Sequence, residues 1–107
     1  MEIREIITTE GYNELLKNKK VVLKCSADWC APCKVLSNTI RKLNEEKLDG
    51  FVFGEINVED DFSDFIVSTY GIRGLPTLLF FKDGSLVDKA VGNIPSEKIY
   101  EIIEKNF

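Results

Sequence analysis

Cys30-Ala31-Pro32-Cys33 is the segment of this chain whose residue types and spacing point most directly to chemistry. It lies between an apolar strand-like run and an amphipathic segment. Two intervening residues let the second sulfur lie one helical turn from the first, within reach of a disulfide. A helix N-terminus offers free N–H groups and the positive end of the backbone dipole to Cys30, which favours its thiolate. Pro32 suits a helix start because its missing N–H would lack a partner there anyway. A thiol at its ordinary pKa of about 8.5 is only slightly ionised at neutral pH, so a drop of about 1–2 units multiplies the nucleophile several-fold to tenfold. Trp29, just before the pair, offers a flat apolar surface to a docking polypeptide. The reaction expected is thiol–disulfide exchange.

A cysteine pair can also be half of a zinc site or merely buried structure. Zinc in a structural site takes four ligands, and the chain has three cysteines and no histidine, so no metal is expected. The absence of histidine also removes Ser-His and Cys-His triads. An odd cysteine count argues against a secreted disulfide framework. The third cysteine, Cys25, is expected to pack as a small hydrophobe.

The elements that must position the pair follow from apolar periodicity. Ile3, Ile6 and Ile7 form a short apolar segment, and Thr8-Thr9 caps a brief helix over 9–18 with Tyr12, Leu15 and Leu16 on its inner face. Val21 to Cys25 reads as a buried strand, apolar except for Lys24. From Cys33 to Leu48 the spacing of Leu36, Ile40 and Leu43 predicts an amphipathic helix, closed by Asp49-Gly50. A strand over 51–58 follows. Glu59-Asp60-Asp61 then opens a helix through Tyr70; those acids are read as partners of the helix dipole rather than as metal ligands. Strands at 77–82 and 86–91 are joined by Asp83-Gly84, a strong hairpin signal. Pro95 fits the first turn of a last helix with Ile99, Ile102 and Ile103 inward. The order β-α-β-α-β-α-β-β-α predicts an α/β fold, with helices on both faces of one mixed sheet.

Size and charge narrow the function. With 107 residues the chain is expected to form a single domain over 1–107, with no linker or repeat. Fourteen basic residues against eighteen acidic ones leave a charge of −4, with no basic cluster fit to grip phosphates, so no nucleic-acid partner is expected. No apolar run nears about 18 residues, so no membrane span is expected. Met1-Glu2-Ile3-Arg4-Glu5 lacks the basic and apolar regions of a secretory leader, and a cytoplasmic location is the expectation. No Gly-rich phosphate loop is present, so no nucleotide cofactor is expected beyond a redox-active Cys30–Cys33 pair.

Trp29-Cys30-Ala31-Pro32-Cys33-Lys34, then Tyr70-Gly71-Ile72-Arg73-Gly74-Leu75-Pro76-Thr77, then Phe81-Lys82-Asp83-Gly84 and Val91-Gly92 resemble the thioredoxin family, in order and over essentially the whole chain. The resemblance implies a four- to five-stranded sheet flanked by four helices. It implies that Cys30 attacks a protein disulfide and Cys33 resolves the mixed disulfide. It also implies a cis bond before Pro76. In the family the backbone around Gly74-Leu75-Pro76 pairs with the substrate chain, while Trp29, Ala31, Pro32, Gly92 and Asn93 border the groove. Pairing of that kind reads backbone more than side chains, which suits broad substrate choice.

The chain departs from the family in several places. Ala31 replaces the usual Gly between the cysteines. Asn38 stands where many relatives carry a helix-kinking proline, so a straighter helix is expected. Lys24 stands where the family keeps a buried Asp serving the resolving cysteine, and Glu55 replaces the family's Lys on the next strand. A lone charge in a sheet core costs roughly 3–5 kcal/mol, so two simultaneous reversals suggest a sign-swapped pair behind Cys33. Lys24 and Glu55 are therefore candidate catalytic residues for moving the proton of Cys33; a purely structural pair is the alternative.

The expected function is that of a small protein-disulfide reductant: a monomer that receives electrons from a thioredoxin reductase and passes them to disulfide-containing proteins. A same-fold oxidase or isomerase, distinguished by reduction potential, is one alternative. A binding scaffold using the same groove, with incidental thiols, is the other.

Overall fold

The computed structural model describes residues 2–107. Met1, where the leader reading begins, lies outside them. Five strands form one sheet: β1 Ile3–Glu5, β2 Lys20–Ser26, β3 Phe51–Asn57, β4 Thr77–Lys82 and β5 Ser85–Val91. Their spatial order is β1-β3-β2-β4-β5. β1, β3 and β2 run parallel, whereas β4 is antiparallel to both β2 and β5. Four helices complete the fold: α1 Thr9–Leu15, α2 Ala31–Arg41, α3 Asp64–Tyr70 and α4 Ser96–Asn106.

Strand alternation sends side chains to two separate cores. On one face, Val22, Phe53, Leu78 and Phe80 pack with Leu36 and Ile40 of α2 and with Ile99 and Ile102 of α4. On the other, Val21, Leu23, Cys25 and Ile56 meet Tyr12 and Leu15 of α1 and Ile66 of α3. Covering both faces leaves the ends of the strands as the place where loops converge. The Asp83-Gly84 turn has positive φ at both residues (50° and 83°), the pairing that a two-residue hairpin of matching twist requires.

Several boundaries differ from the sequence reading, each for a local reason. The helix expected to run to Leu48 stops at Arg41, and a separate 3-10 turn spans Glu45–Leu48. Asn44 is extended and its side-chain oxygen takes the amide of Glu46 at 3.0 Å, so the backbone donor is spent outside a continuous helix. α1 ends at Leu15 rather than Asn18, whose side-chain amide donates to the freed Leu15 carbonyl at 3.0 Å. Thr8 caps α1 by accepting from the Gly11 amide at 3.0 Å.

The acidic run does not open α3 directly. Asn57 accepts from the Glu59 amide at 2.9 Å, and a 3-10 turn over Asp61–Ser63 comes before the helix. Glu59 and Asp60 therefore lie ahead of the turn, and Asp60 makes no side-chain cap. Pro95 occupies the capping position before α4, one residue earlier than expected. Ile7 is 65% exposed because β1 ends at Glu5 and only Ile6 turns into the core.

Candidate active site

The C-terminal end of β2 carries the chain out of the sheet through Ala27 to Trp29, and α2 begins immediately after it. Cys30 is the N-cap of α2, with extended backbone dihedrals. Its sulfur accepts from the Cys33 amide at 3.2 Å. Pro32 sits in the first helical turn, where its missing donor removes nothing. A disulfide joins Cys30 to Cys33 with the α-carbons 5.3 Å apart. Both cysteines are nearly covered, at 3% and 2% exposure, and they pack with Ala27, Val58 and Leu75.

Cys30 reaches a groove of about 550 Å³. Trp29, Ala31, Pro32 and Leu75 line it together with Cys30. Trp29 is 69% exposed, a large apolar surface left open beside the disulfide. The groove also takes Val58, Val67, Ile72 and Arg73, which the sequence reading did not select. Ile72 and Arg73 lie inside the Tyr70–Thr77 motif, the sequence signal that marks them. Val58 and Val67 gave no local signal; Val58 directly follows β3 and Val67 lies midway along α3.

The other residues expected at the groove occupy different positions. The peptide bond between Leu75 and Pro76 is cis, and Pro76 is buried. The Gly92 amide donates to the Pro76 carbonyl at 2.8 Å, tying the segment after β5 to this loop. Gly92 has φ +96°, a conformation that side chains rarely adopt. Gly74 packs against Val91, while Asn93 is exposed. Gly74, Pro76, Gly92 and Asn93 are not among the residues that line this groove.

Behind the cysteines, Lys24 and Glu55 stand side by side on β2 and β3. The Lys24 ammonium donates to Glu55 Oε2 at 3.2 Å. The Lys24 side chain is 5% exposed and that of Glu55 is 38% exposed. The sequence reading missed a third member. Ser37 accepts from Lys24 Nζ, and its hydroxyl donates to the Cys33 carbonyl at 3.1 Å. Its spacing of four residues from Cys33 on one helix was the available signal.

Cys25 is wholly buried on the opposite face of the sheet. Burial pushes its thiol up to about 12, so it stays protonated where Cys30 chemistry would occur. No cluster of three or more candidate metal ligands occurs among the described residues.

Comparison with known proteins adds an independent line. The family model described as Thioredoxin matches residues 4–105. A thioredoxin of Mycoplasmoides gallisepticum is 39% identical over 103 residues, covering 95% of this chain and all of that protein. A thioredoxin of Griffithsia pacifica is 30% identical over 107 residues, covering 99% and 96% of the two chains. Among solved structures, a reduced thioredoxin of Schistosoma mansoni superposes with a TM-score of 0.83 at 30% identity, covering both chains completely. A thioredoxin variant from Halobacterium salinarum gives 0.84 at 26% identity, covering 98% of this chain and 90% of the other.

Proposed function

Because the chain belongs to the thioredoxin family, we propose that it works as a reductant of protein disulfides, with Cys30 as nucleophile and Cys33 as resolving thiol. Family, fold and the close cysteine pair make it a thiol–disulfide oxidoreductase. The observation that carries the assignment of roles is the asymmetry of the pair. Cys30 lies at the helix cap, where its sulfur receives an amide hydrogen, and it opens onto the groove; Cys33 does not line that groove.

In the reduced form the Cys30 thiolate attacks one sulfur of the substrate disulfide. That bond breaks, and the other substrate sulfur leaves with the electron pair and takes a proton from water. Cys33 loses its proton and attacks Cys30 Sγ, expelling the second substrate sulfur, which is protonated in turn. The substrate gains two electrons and two protons, and the protein ends as the Cys30–Cys33 disulfide. The helix N-terminus lowers the cost of the Cys30 anion. The groove aligns an extended substrate strand along Trp29 and the Leu75 backbone; Gly92 holds that loop in place through Pro76.

The Lys24–Glu55 pair is read as support for Cys33. The redox centre needs no bound cofactor in this scheme. A reductase of the thioredoxin reductase class returns the electron pair, and disulfide-containing proteins receive it. A monomer in the cytoplasm suits these roles, and no helix among the described residues is long and apolar enough to cross a membrane. The deciding experiment is insulin reduction driven by dithiothreitol, with Cys30→Ser as control and the potential read by equilibration with glutathione. Cys30-dependent reduction with a strongly reducing potential is expected. A potential near that of glutathione would mark an oxidase or isomerase, and turnover by Cys30→Ser would mark a scaffold.

A further inference from the structure

Among the described residues Lys24 is the one charged side chain in the buried set. Its ammonium has two partners, on opposite sides. Toward β3 it meets the Glu55 carboxylate, and toward α2 it meets the hydroxyl of Ser37. Ser37 in turn bonds to the carbonyl of Cys33, the residue one turn earlier on the same helix. A continuous chain of contacts thus runs from the sheet to the resolving cysteine.

The two charges of this pair do not act equally on α2. Glu55 is more than a third exposed, so water screens its field, whereas Lys24 is sealed between the sheet and the helix. The charged groups in the same row of the sheet are Glu5, Glu55 and Lys24, followed by apolar Leu78 on β4. Glu5 is exposed at the β1 edge. The least screened charge of this row is therefore a cation, and it is bonded to the first turns of α2.

We infer that the buried Lys24 ammonium, held against α2 by Ser37, stabilises the thiolate of Cys33 and so readies it to attack the Cys30 mixed disulfide. The inference rests on the exchange reaction proposed above. In this step the Cys33 proton passes to water, the Cys33 sulfur forms a bond to Cys30 Sγ, and the substrate sulfur leaves with the electron pair. Lys24 neither gains nor loses a proton. It is a positioning residue whose charge matters, and an arginine can therefore replace it.

The test mixes excess reduced protein with 5,5′-dithiobis(2-nitrobenzoate). The first thionitrobenzoate is released when Cys30 attacks and the second when Cys33 attacks, so the second release is timed across pH. Loss of the cation in Lys24→Met is expected to raise the midpoint of the second release by about one pH unit, making it about tenfold slower below that midpoint. Lys24→Arg should restore the wild-type midpoint. Glu55→Gln, which frees the cation from its counter-charge, should lower the midpoint. An unmoved midpoint in Lys24→Met, or failure of Lys24→Arg to restore it, overturns the inference. If Lys24→Met does not fold, Glu55→Gln decides, and a midpoint that stays or rises overturns it. A wild-type chain that stops after the first release overturns the exchange reading and this inference with it.

Discussion

The backbone amide of Cys33 donates a hydrogen bond to the sulfur of Cys30 at 3.2 Å, although the same two residues are joined through their side chains. The bond is a helix cap made with sulfur in place of the usual oxygen. On reduction this amide is placed to stabilise the Cys30 anion, while Cys33 has no equivalent cap. The expected consequence is a division of labour that substitution can separate. Cys30→Ser should abolish disulfide exchange, whereas Cys33→Ser should still attack and then accumulate a mixed disulfide with its substrate. Mass spectrometry of quenched reactions reads the difference, and equal behaviour of the two variants would contradict it.

Cys25 should dominate a different observable, the alkaline limit of stability. Its thiol is held up to about 12 in the fold by burial, well above its ordinary value. The unfolded chain therefore releases this proton first as pH rises. Stability contributed by the protonated thiol is intact below about pH 9 and is lost as pH climbs toward 12, by at most ~1.4 kcal/mol per unit. Between pH 8 and pH 10, oxidised Cys25→Ala should lose about 1–2 kcal/mol less than wild type in urea unfolding. Any constant cost of the smaller side chain cancels in that comparison. Equal losses would mean that Cys25 ionises within the native state.

Trp29 tests the groove. At 69% exposure it contributes little to the core, so Trp29→Ala should leave stability within about 0.5 kcal/mol. Its removal should nevertheless lower kcat/KM toward insulin by about five- to thirtyfold, the range for a docking residue worth ~1–2 kcal/mol. Reaction of Cys30 with a small aromatic disulfide, which needs no extended docking surface, should change less than about twofold. Loss of both activities together would place Trp29 in the chemistry rather than in docking.

Gly54 tests the packing beneath β3. A Cβ there would lie 2.6 Å from Cδ2 of Leu15, a residue with no exposed surface. Gly54→Ala should therefore cost about 1–3 kcal/mol by overpacking. In a Leu15→Ala background the obstructing atom is gone, so the same substitution should cost clearly less. Additive costs in equilibrium unfolding would show that the strain lies elsewhere.

Local pattern made much of this protein legible from its residues. The C-x-x-C spacing, the Pro32 helix start, the Asp83-Gly84 hairpin and the alternation of strands with helices all depend on neighbours within a turn or two. Boundaries failed where a side chain competed for the backbone. Beyond α2, the Asn44 side chain takes the Glu46 amide that a helix running on to Leu48 would have bonded, and ahead of α3 the Asn57 side chain takes the Glu59 amide while the chain is still outside the helix. Neither contact shows in apolar periodicity.

What the sequence determined by itself was the reacting pair and the class of fold around it, since both are written in short-range spacing. Tertiary structure alone decided what surrounds that pair. Val58, just after β3, and Val67, midway along α3, meet Trp29 to Pro32 at the groove only through packing, and Ser37 joins Lys24 to Cys33 only because β2 lies directly beneath that helix. Even the sign-swapped pair takes its asymmetry from burial: Lys24 is sealed by α2 while Glu55 stays partly in water. Contacts between residues far apart in the chain are set by how sheet and helices pack, and few of them, the Lys24–Glu55 pair among them, leave a signature at single positions.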